Sequence, residues 1–552
     1  MRTPGILGAA SDSNARGSTV HSGAISVAER HRGRHFTTGE NTMPSMSRRT
    51  ALSLLALTTV STSGSCSTSG IRPAQTDKKT TGRPANPVVL ENQLAGDTGW
   101  RVSGARISDD VTRQIQGYAS RTSVSAGESV DFHVSVAGDR PFTVSVYRLG
   151  HYAGAGGRRM LTSGSLRGEG MPAPSADPAT GLIECAWPVA WTLTVPADWT
   201  SGYFLAVFET GDGFRSCTPF VVRDDRRRAD FLVVVPFSTY QAYNFWPADG
   251  RTARNLYKGY VEPGRIGGLT ERAFQVSFDR PYSRGGMPSC AELDLAAVRW
   301  LEAVGFDVAY ASSLDLHEQG IPTGRIGGLI FPGHDEYWSK AMRDATESAL
   351  DNGTHLTFLA ANNVYWHVRF DEARDGRPNR VVTCYKDTPD PYADDTGPTR
   401  NWRKLGRKYS QAEQRLLGVQ YNGMLADPVP LVISGSRHWF WAGTGVRDGD
   451  TVPGLVAVEA DGWNPKIELS REANQTLLSE TPYQDRLGRG TRVQNTSLYE
   501  TPRGTLVFAA GTFHWNLALV DSPYTDVRIQ QATMNLLTRM LVGPPGSAGR
   551  PG

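Results

Sequence analysis

The sequence predicts an α/β chain in which a mostly parallel, layered sheet is preceded by a β-sandwich. Three observations predict it. Short runs between about 98 and 223 alternate apolar with polar residues. From 228 onward, continuously apolar, β-branched runs alternate with amphipathic helical stretches. At 552 residues the chain is too long for one core, so two or three domains are expected.

Residues 1–42 are rich in Ser, Gly and Arg, lack periodicity, and read as disordered or as an extension upstream of the true start. Residues 43–66 read as an export signal. Met43 and Met46 precede Ser47-Arg48-Arg49, a short apolar run from Ala51 to Val60, and a tract of small residues. A membrane span would need about 20 apolar residues. The paired arginines resemble a twin-arginine signal. Ser63-Gly64-Ser65-Cys66 resembles a lipoprotein cleavage box, without the usual Leu ahead of the cysteine, and makes a lipid anchor at Cys66 an expectation. The chain is therefore expected to be exported, either extracellular or attached to the outer face of the cell membrane. Residues 67–97 read as a linker.

The β-sandwich is placed at 98–223, on the runs Ser123–Val136, Phe142–Tyr147, Ala190–Val195 and Gly202–Phe208. The α/β domain is placed at 228–540. Its first strand, Ala229–Pro236, reads as covered on both faces. Then follow a helix over Cys290–Val304, a strand over Gly305–Tyr310, a weak helix near Leu314, and a strand over Gly327–Phe331. A helix over about 338–352 and a strand over Thr354–Ala360 come next, then a loop-rich insertion at about 367–500. A strand at Gly504–Ala509, a closing helix at Val527–Met540 and a tail at 541–552 complete the chain. The architecture expected is flavodoxin-like or class I glutamine-amidotransferase-like, after an immunoglobulin-like sandwich. Parallel strands would bring their carboxyl ends to one rim, where such sheets bind ligands.

The 58 basic and 55 acidic residues leave a net charge of +3, with no basic block, which argues against a nucleic-acid partner. Beyond Cys66 the cysteines are Cys185, Cys217, Cys290 and Cys384. Cys185 and Cys217 fall in the sandwich, and a disulfide between them is the expectation for an exported protein. None has metal-ligand spacing, and no Gly-x-Ser-x-Gly elbow exists, so a serine or cysteine hydrolase is disfavoured.

Four segments deliver polar groups to the expected rim. They are Ser238–Asn244, with Asn255-Leu256-Tyr257 beyond it; Gly333-His334-Asp335-Glu336-Tyr337-Trp338; Asn362-Asn363 with Tyr365-Trp366; and Gly511–Trp515. Ordinary structural roles compete at each position. At Tyr240, Tyr243 and Tyr257 the competing role is a packed ring with a bonded hydroxyl, and at Asp335 the cap of the following helix. Glu336 suits a first helical turn, and Asp461 a surface pair with Arg447. The pairs His438-Trp439 and His514-Trp515 read as packing.

These residues resemble the N,N-dimethylformamidase large (beta) subunit-like family, iron-dependent amide hydrolases, and its exported actinobacterial relatives. The resemblance covers about 95–540 and includes Ile115-Gln116-Gly117-Tyr118-Ala119-Ser120 and Val146-Tyr147-Arg148-Leu149-Gly150. It implies a mononuclear ferric ion, Fe(3+), held by two tyrosinates and a glutamate. On this chain the tyrosines match Tyr243, chosen over Tyr240, and Tyr257, and the glutamate matches Glu336. His334 and Asn362 match groups beside the metal, and Glu459 matches a further glutamate that would shuttle protons. Phenolate and carboxylate oxygens suit a hard ferric ion, which would acidify water at neutral pH. The function implied is metal-dependent hydrolysis of small amide or related C–N bonds in a linear, small-molecule substrate. A homo-oligomer is compatible with it. The family enzyme works with a small accessory subunit, and nothing in this chain indicates one. The rival reading is a non-catalytic secreted or cell-surface binding module for glycans, using an exposed rim of Trp338, Trp366, Trp439, Trp441 and Trp515.

Overall fold

A computed structural model describes residues 85–542 apart from 105, 173 and 322–324. The extension at 1–42, the export signal at 43–66 with Cys66, the linker up to 84 and the tail from 543 lie outside the described residues. Within the segment expected to be linker, Pro87–Asn92 forms a helix whose Asn86 side chain accepts the N–H groups of Val88 and Val89. Glu91 pairs with Arg158 at 2.6 Å and fastens this helix to the strand Gly157–Thr162.

Two sheets face each other between 115 and 223. One orders Ile115–Ala119, Ser129–Val136 and Trp191–Thr194. The other orders Ser123–Ser125, Arg215–Arg223, Gly202–Thr210, Phe142–Leu149 and Gly157–Thr162. Alternate residues of Ser129–Val136 point inward, so Val130, Phe132, Val134 and Val136 share one core with Phe204, Phe208, Phe220 and Val222. Phe132 meets Phe208 and Phe220 edge-on at 6.0 and 5.7 Å, a favourable aromatic geometry. The expected Cys185–Cys217 disulfide does not form. Both are free thiols in separate packed environments, Cys185 among Tyr118, Ile183, Trp187 and Trp246, and Cys217 in the main core, donating to the Gly285 carbonyl.

The fold class differs from expectation. Parallel pairing in the second half is confined to five neighbouring strands of one seven-stranded sheet and to the short pair Tyr337–Ser339 with Trp366–Asp371. That sheet orders Val308–Ser312, Ala229–Val235, Ile326–Phe331, His355–Phe358, Leu506–Ala509, Ser497–Glu500 and Asn474–Leu477, and its last two strands each pair antiparallel with the strand before. Most other strands lie in small antiparallel or mixed sheets, and only 18% of the structure is helical. The chain is thus mostly β, not a layered parallel α/β fold. The physical reason lies in the connections. Two are helices of only seven and six residues, Phe237–Tyr243 and Ser313–Glu318, too short to cover a sheet. The stretch expected to be loop-rich folds into hairpins whose strands are only three to six residues long, too short to leave a period in the sequence. No helix among the described residues is long and apolar enough to cross a membrane.

Local sequence still explains the elements around the site. Ala229–Val235 is buried at all but one position, as a strand covered on both faces should be. Helix Lys340–Asp351 is capped by Ser339, whose side chain accepts the Met342 N–H, so Asp335 is not its cap. Glu336 likewise lies outside that helix, in the turn before Tyr337–Ser339.

Candidate active site

Tyr243 is the last residue of helix Phe237–Tyr243, and Tyr257 lies in the loop that returns beside it. Glu336 follows the turn after strand Ile326–Phe331. Thr239, one turn before Tyr243, holds that turn: its hydroxyl accepts the N–H of Glu336 at 3.0 Å and of Tyr337 at 3.2 Å. The Tyr243 hydroxyl donates to Glu336 Oε2 at 2.6 Å, and the Tyr257 hydroxyl lies 2.7 Å from both Glu336 oxygens. The two hydroxyls are 3.0 Å apart, and the rings stack at 4.7 Å.

His334 Nδ1 faces the Ala361 carbonyl at 3.2 Å and therefore carries the proton. Its Nε2 faces the Tyr243 hydroxyl at 3.2 Å, Glu336 at 3.3 Å and Glu459 at 3.9 Å. Burial opposes charge on this imidazole. The hydrogen bond to Glu336, with the charges of Glu459 and Glu336, outweighs burial and raises it to about 9. The Asn362 amide nitrogen bridges Glu336 Oε1 at 3.2 Å and Glu459 Oε2 at 3.0 Å, while its Oδ1 is buried without a partner. The two carboxyls are driven apart. Burial raises Glu459 to about 7, aided by the charge on Glu336. Burial also opposes ionisation of Glu336, but His334 and Lys386 outweigh it and hold Glu336 below the usual carboxylate range. Environments that separate two carboxyls in this way are how one site keeps an anion beside a proton carrier.

All six residues singled out by resemblance, Tyr243, Tyr257, Glu336, His334, Asn362 and Glu459, are brought together here. Tyr240 is not. Its hydroxyl donates to Asp294 at 2.7 Å in a separate buried pair. Asp335 is fully buried, where burial raises it to about 7. Asp461 is buried too, accepting the Asn362 N–H at 2.9 Å, so it forms no surface pair with Arg447. His514 Nδ1 bonds the Gly454 carbonyl at 3.0 Å and takes no part. The expected tryptophan rim is not exposed: Trp338, Trp366, Trp441 and Trp515 are buried and Trp439 is half-buried. Their ring area is spent on packing, which removes the stacking surface a glycan would need.

Sequence reasoning missed Lys386 and gave Asn255 no role of its own. Lys386 comes from the loop between Val381–Thr383 and Trp402–Lys404, and its Nζ lies 3.2 Å from the centre of the Tyr257 ring. It is buried without a hydrogen-bond partner, and burial lowers it to about 8. No local signal marks this lysine, since only the fold brings it to Tyr257. Asn255 was visible only as part of the segment that carries Tyr257.

Among the described residues no cluster of His, Cys, Asp and Glu alone is arranged to hold a metal. The donors that converge are two phenols and a carboxylate. Burial and the charge on Glu336 push both phenols well above their ordinary range, so they keep their protons unless a cation replaces them. Three hard oxygens within 3.0 Å of one another fit a hard, highly charged ion.

Residues 143–526 match the family described as N,N-dimethylformamidase beta subunit-like, C-terminal. The N,N-dimethylformamidase beta subunit of Paracoccus aminophilus is 26% identical over 427 residues, which is 66% of this chain and 55% of that protein. The N,N-dimethylformamidase beta subunit of an Alcaligenes species is 29% identical over 429 residues, with the same coverage of 66% and 55%. The chain spans about half the length of these curated relatives. Among solved structures, a Paenibacillus cycloisomaltooligosaccharide glucanotransferase aligns over 58% of this chain and 61% of its own, at 10% identity and a TM-score of 0.15, too low to bear on the fold. The family match covers well over half of the sequence, and the chain belongs to the N,N-dimethylformamidase beta subunit-like family.

Proposed function

We propose that this member of the N,N-dimethylformamidase beta subunit-like family hydrolyses the C–N bond of small linear amides, and that Tyr243, Tyr257 and Glu336 hold a single ferric ion. The observation that carries the reading is the convergence of two buried phenols on one carboxylate, with His334, Asn362 and Glu459 around it. When bound, ferric iron would supply a Lewis acid that polarises the amide carbonyl and acidifies water.

The chain's own residues account for the proton traffic. Hydrolysis adds water across the amide, breaks the C–N bond, and leaves a carboxylic acid and an amine. Glu459, near neutrality at about 7, is poised to take a proton from water and return it to the departing nitrogen. His334, fixed through Nδ1 to the Ala361 carbonyl, keeps Glu336 ionised. The Asn362 amide nitrogen spends its two N–H groups on Glu336 and Glu459, and so holds the two carboxyls in fixed orientation about the substrate position.

The relatives are named as beta subunits, so a partner subunit belongs to the proposal, to be sought as a co-purifying chain. Export rests on residues 43–66 and is tested by fractionating cells that express the full chain. The central test is to purify the full chain, measure iron and the visible spectrum, and follow dimethylamine release from N,N-dimethylformamide. Bound iron with a phenolate charge-transfer band, weakened in Tyr243→Phe and Tyr257→Phe, is expected. A chain that binds no iron and leaves the amide intact overturns the reading.

A further inference from the structure

We propose that Asn255 is the positioning residue that sets the two phenols at one distance from Glu336. The inference rests on the reading of Tyr243 and Tyr257 as iron ligands. Asn255 is buried, and its side chain bonds both tyrosine-bearing segments at once. Its Nδ2 donates to the Tyr243 carbonyl at 2.9 Å. Its Oδ1 accepts the N–H of Tyr257 at 2.9 Å and of Lys258 at 2.9 Å. Backbone bonds on either side complete the splice: the Leu256 N–H to the Ala242 carbonyl at 3.1 Å, and the Ala273 N–H to the Asn255 carbonyl at 2.8 Å.

The chemistry admits few alternatives at this position. A carbonyl lies on one side and two N–H groups on the other, so the side chain must donate in one direction and accept in the other. The asparagine amide does both, with its nitrogen and oxygen held apart on opposite sides of one planar group. The reversed amide would set oxygen against carbonyl and N–H against N–H, so the orientation follows from the partners. A carboxylate would keep the two N–H bonds and oppose the Tyr243 carbonyl with charge. Tyr257 lies in a loop, and its stacking on Tyr243 does not by itself fix how far its hydroxyl reaches. Asn255 fixes that reach through the backbone of both residues.

The test uses the full chain with Asn255→Ala and Asn255→Asp, read in two ways. In the metal-free protein, amide hydrogen exchange is followed at Tyr257 and Lys258. Protection there should fall at least tenfold in Asn255→Ala and persist in Asn255→Asp. In ferric titrations, iron affinity should fall at least tenfold in both variants, and the charge-transfer band should move, which a general loss of stability would not cause. Wild-type exchange in Asn255→Ala overturns the clamp, as does wild-type iron affinity with an unmoved band in Asn255→Asp. If Asn255→Ala does not fold, Asn255→Asp alone decides through its affinity and band. If the unaltered chain binds no iron, the iron reading fails, and exchange in Asn255→Ala still decides the clamp.

Discussion

The Asp461 carboxylate accepts the backbone N–H of Asn362 at 2.9 Å while Asn362 sits in the left-handed region at φ 56°. Val364, two residues on, is also left-handed at φ 55°, and its N–H is held by the Asp335 carbonyl at 2.9 Å. Left-handed backbone costs a non-glycine residue about 1–3 kcal/mol and persists only where the surroundings impose it. Here the imposed shape aims the Asn362 amide between Glu336 and Glu459. Under the proposed hydrolysis, Asp461→Ala should therefore cut turnover of a small linear amide by about 10- to 100-fold, matching the strain it releases. Asp461→Asn keeps an acceptor oxygen and should recover most of the loss. Equal turnover in Asp461→Ala and the unaltered chain would refute the brace.

Glu459 makes metal-free stability depend on pH. Burial raises it from 4.5 to about 7 in the folded chain, so its contribution is fully present below about 4.5 and is lost as pH rises through about 7. The shift corresponds to about 3 kcal/mol. Glu459→Gln removes this titration. The drop in urea stability between pH 5 and pH 7.5 should be smaller in that variant than in the unaltered metal-free protein, and parallel pH profiles would contradict the assignment.

Lys386 places an unpaired, buried ammonium over the Tyr257 ring. A desolvated cation–π contact is worth about 2 kcal/mol, and a cation there favours an ionised phenol. An unpaired buried charge also costs the metal-free fold. Lys386→Met should then act in opposite directions: iron affinity falls by about 30-fold, and the metal-free melting temperature rises. A variant that lowers both would show that the ammonium supports the fold rather than the phenol.

Arg148, on strand Phe142–Leu149, meets Glu302, on helix Ala291–Ala303, with Nη2–Oε1 at 2.8 Å and both side chains fully buried. Tyr310 donates to the same carboxylate at 2.6 Å, and the guanidinium donates to the Tyr152 hydroxyl at 3.1 Å. Removing one partner of a buried pair costs about 3–5 kcal/mol. Denaturant unfolding of Glu302→Leu should show a loss of this size, and Arg148→Met with Glu302→Leu should show less than Glu302→Leu alone. A double variant no more stable than the single one would rule out an unpaired charge as the source.

Much of the site was legible because its signals are local. A buried strand running into Pro332-Gly333-His334-Asp335-Glu336 marks a turn with polar cargo, and the same holds for the stretch ending in Asn362. Resemblance to a known family then ranked Glu336 above Asp335. The fold class was less legible. Helical and strand periods are local, but strand direction depends on which remote segment pairs with which. Short hairpins such as Thr481–Gln484 with Thr491–Gln494 carry almost no period to read.

By itself, then, the sequence determined where the apolar strands lie, which turns carry the polar groups, and the family whose residues those groups match. Only the tertiary structure decided that the second half is mostly antiparallel β, that Cys185 and Cys217 stay apart, and that the tryptophans pack inward. It also decided between Tyr240 and Tyr243. Three residues apart on a helix, they lie on nearly the same face, so no periodicity separates them. One meets Asp294 and the other Glu336 because those carboxylates arrive from different parts of the chain. Lys386 makes the same point: a lysine in a polar loop becomes a buried cation only through a contact its neighbours in sequence do not encode.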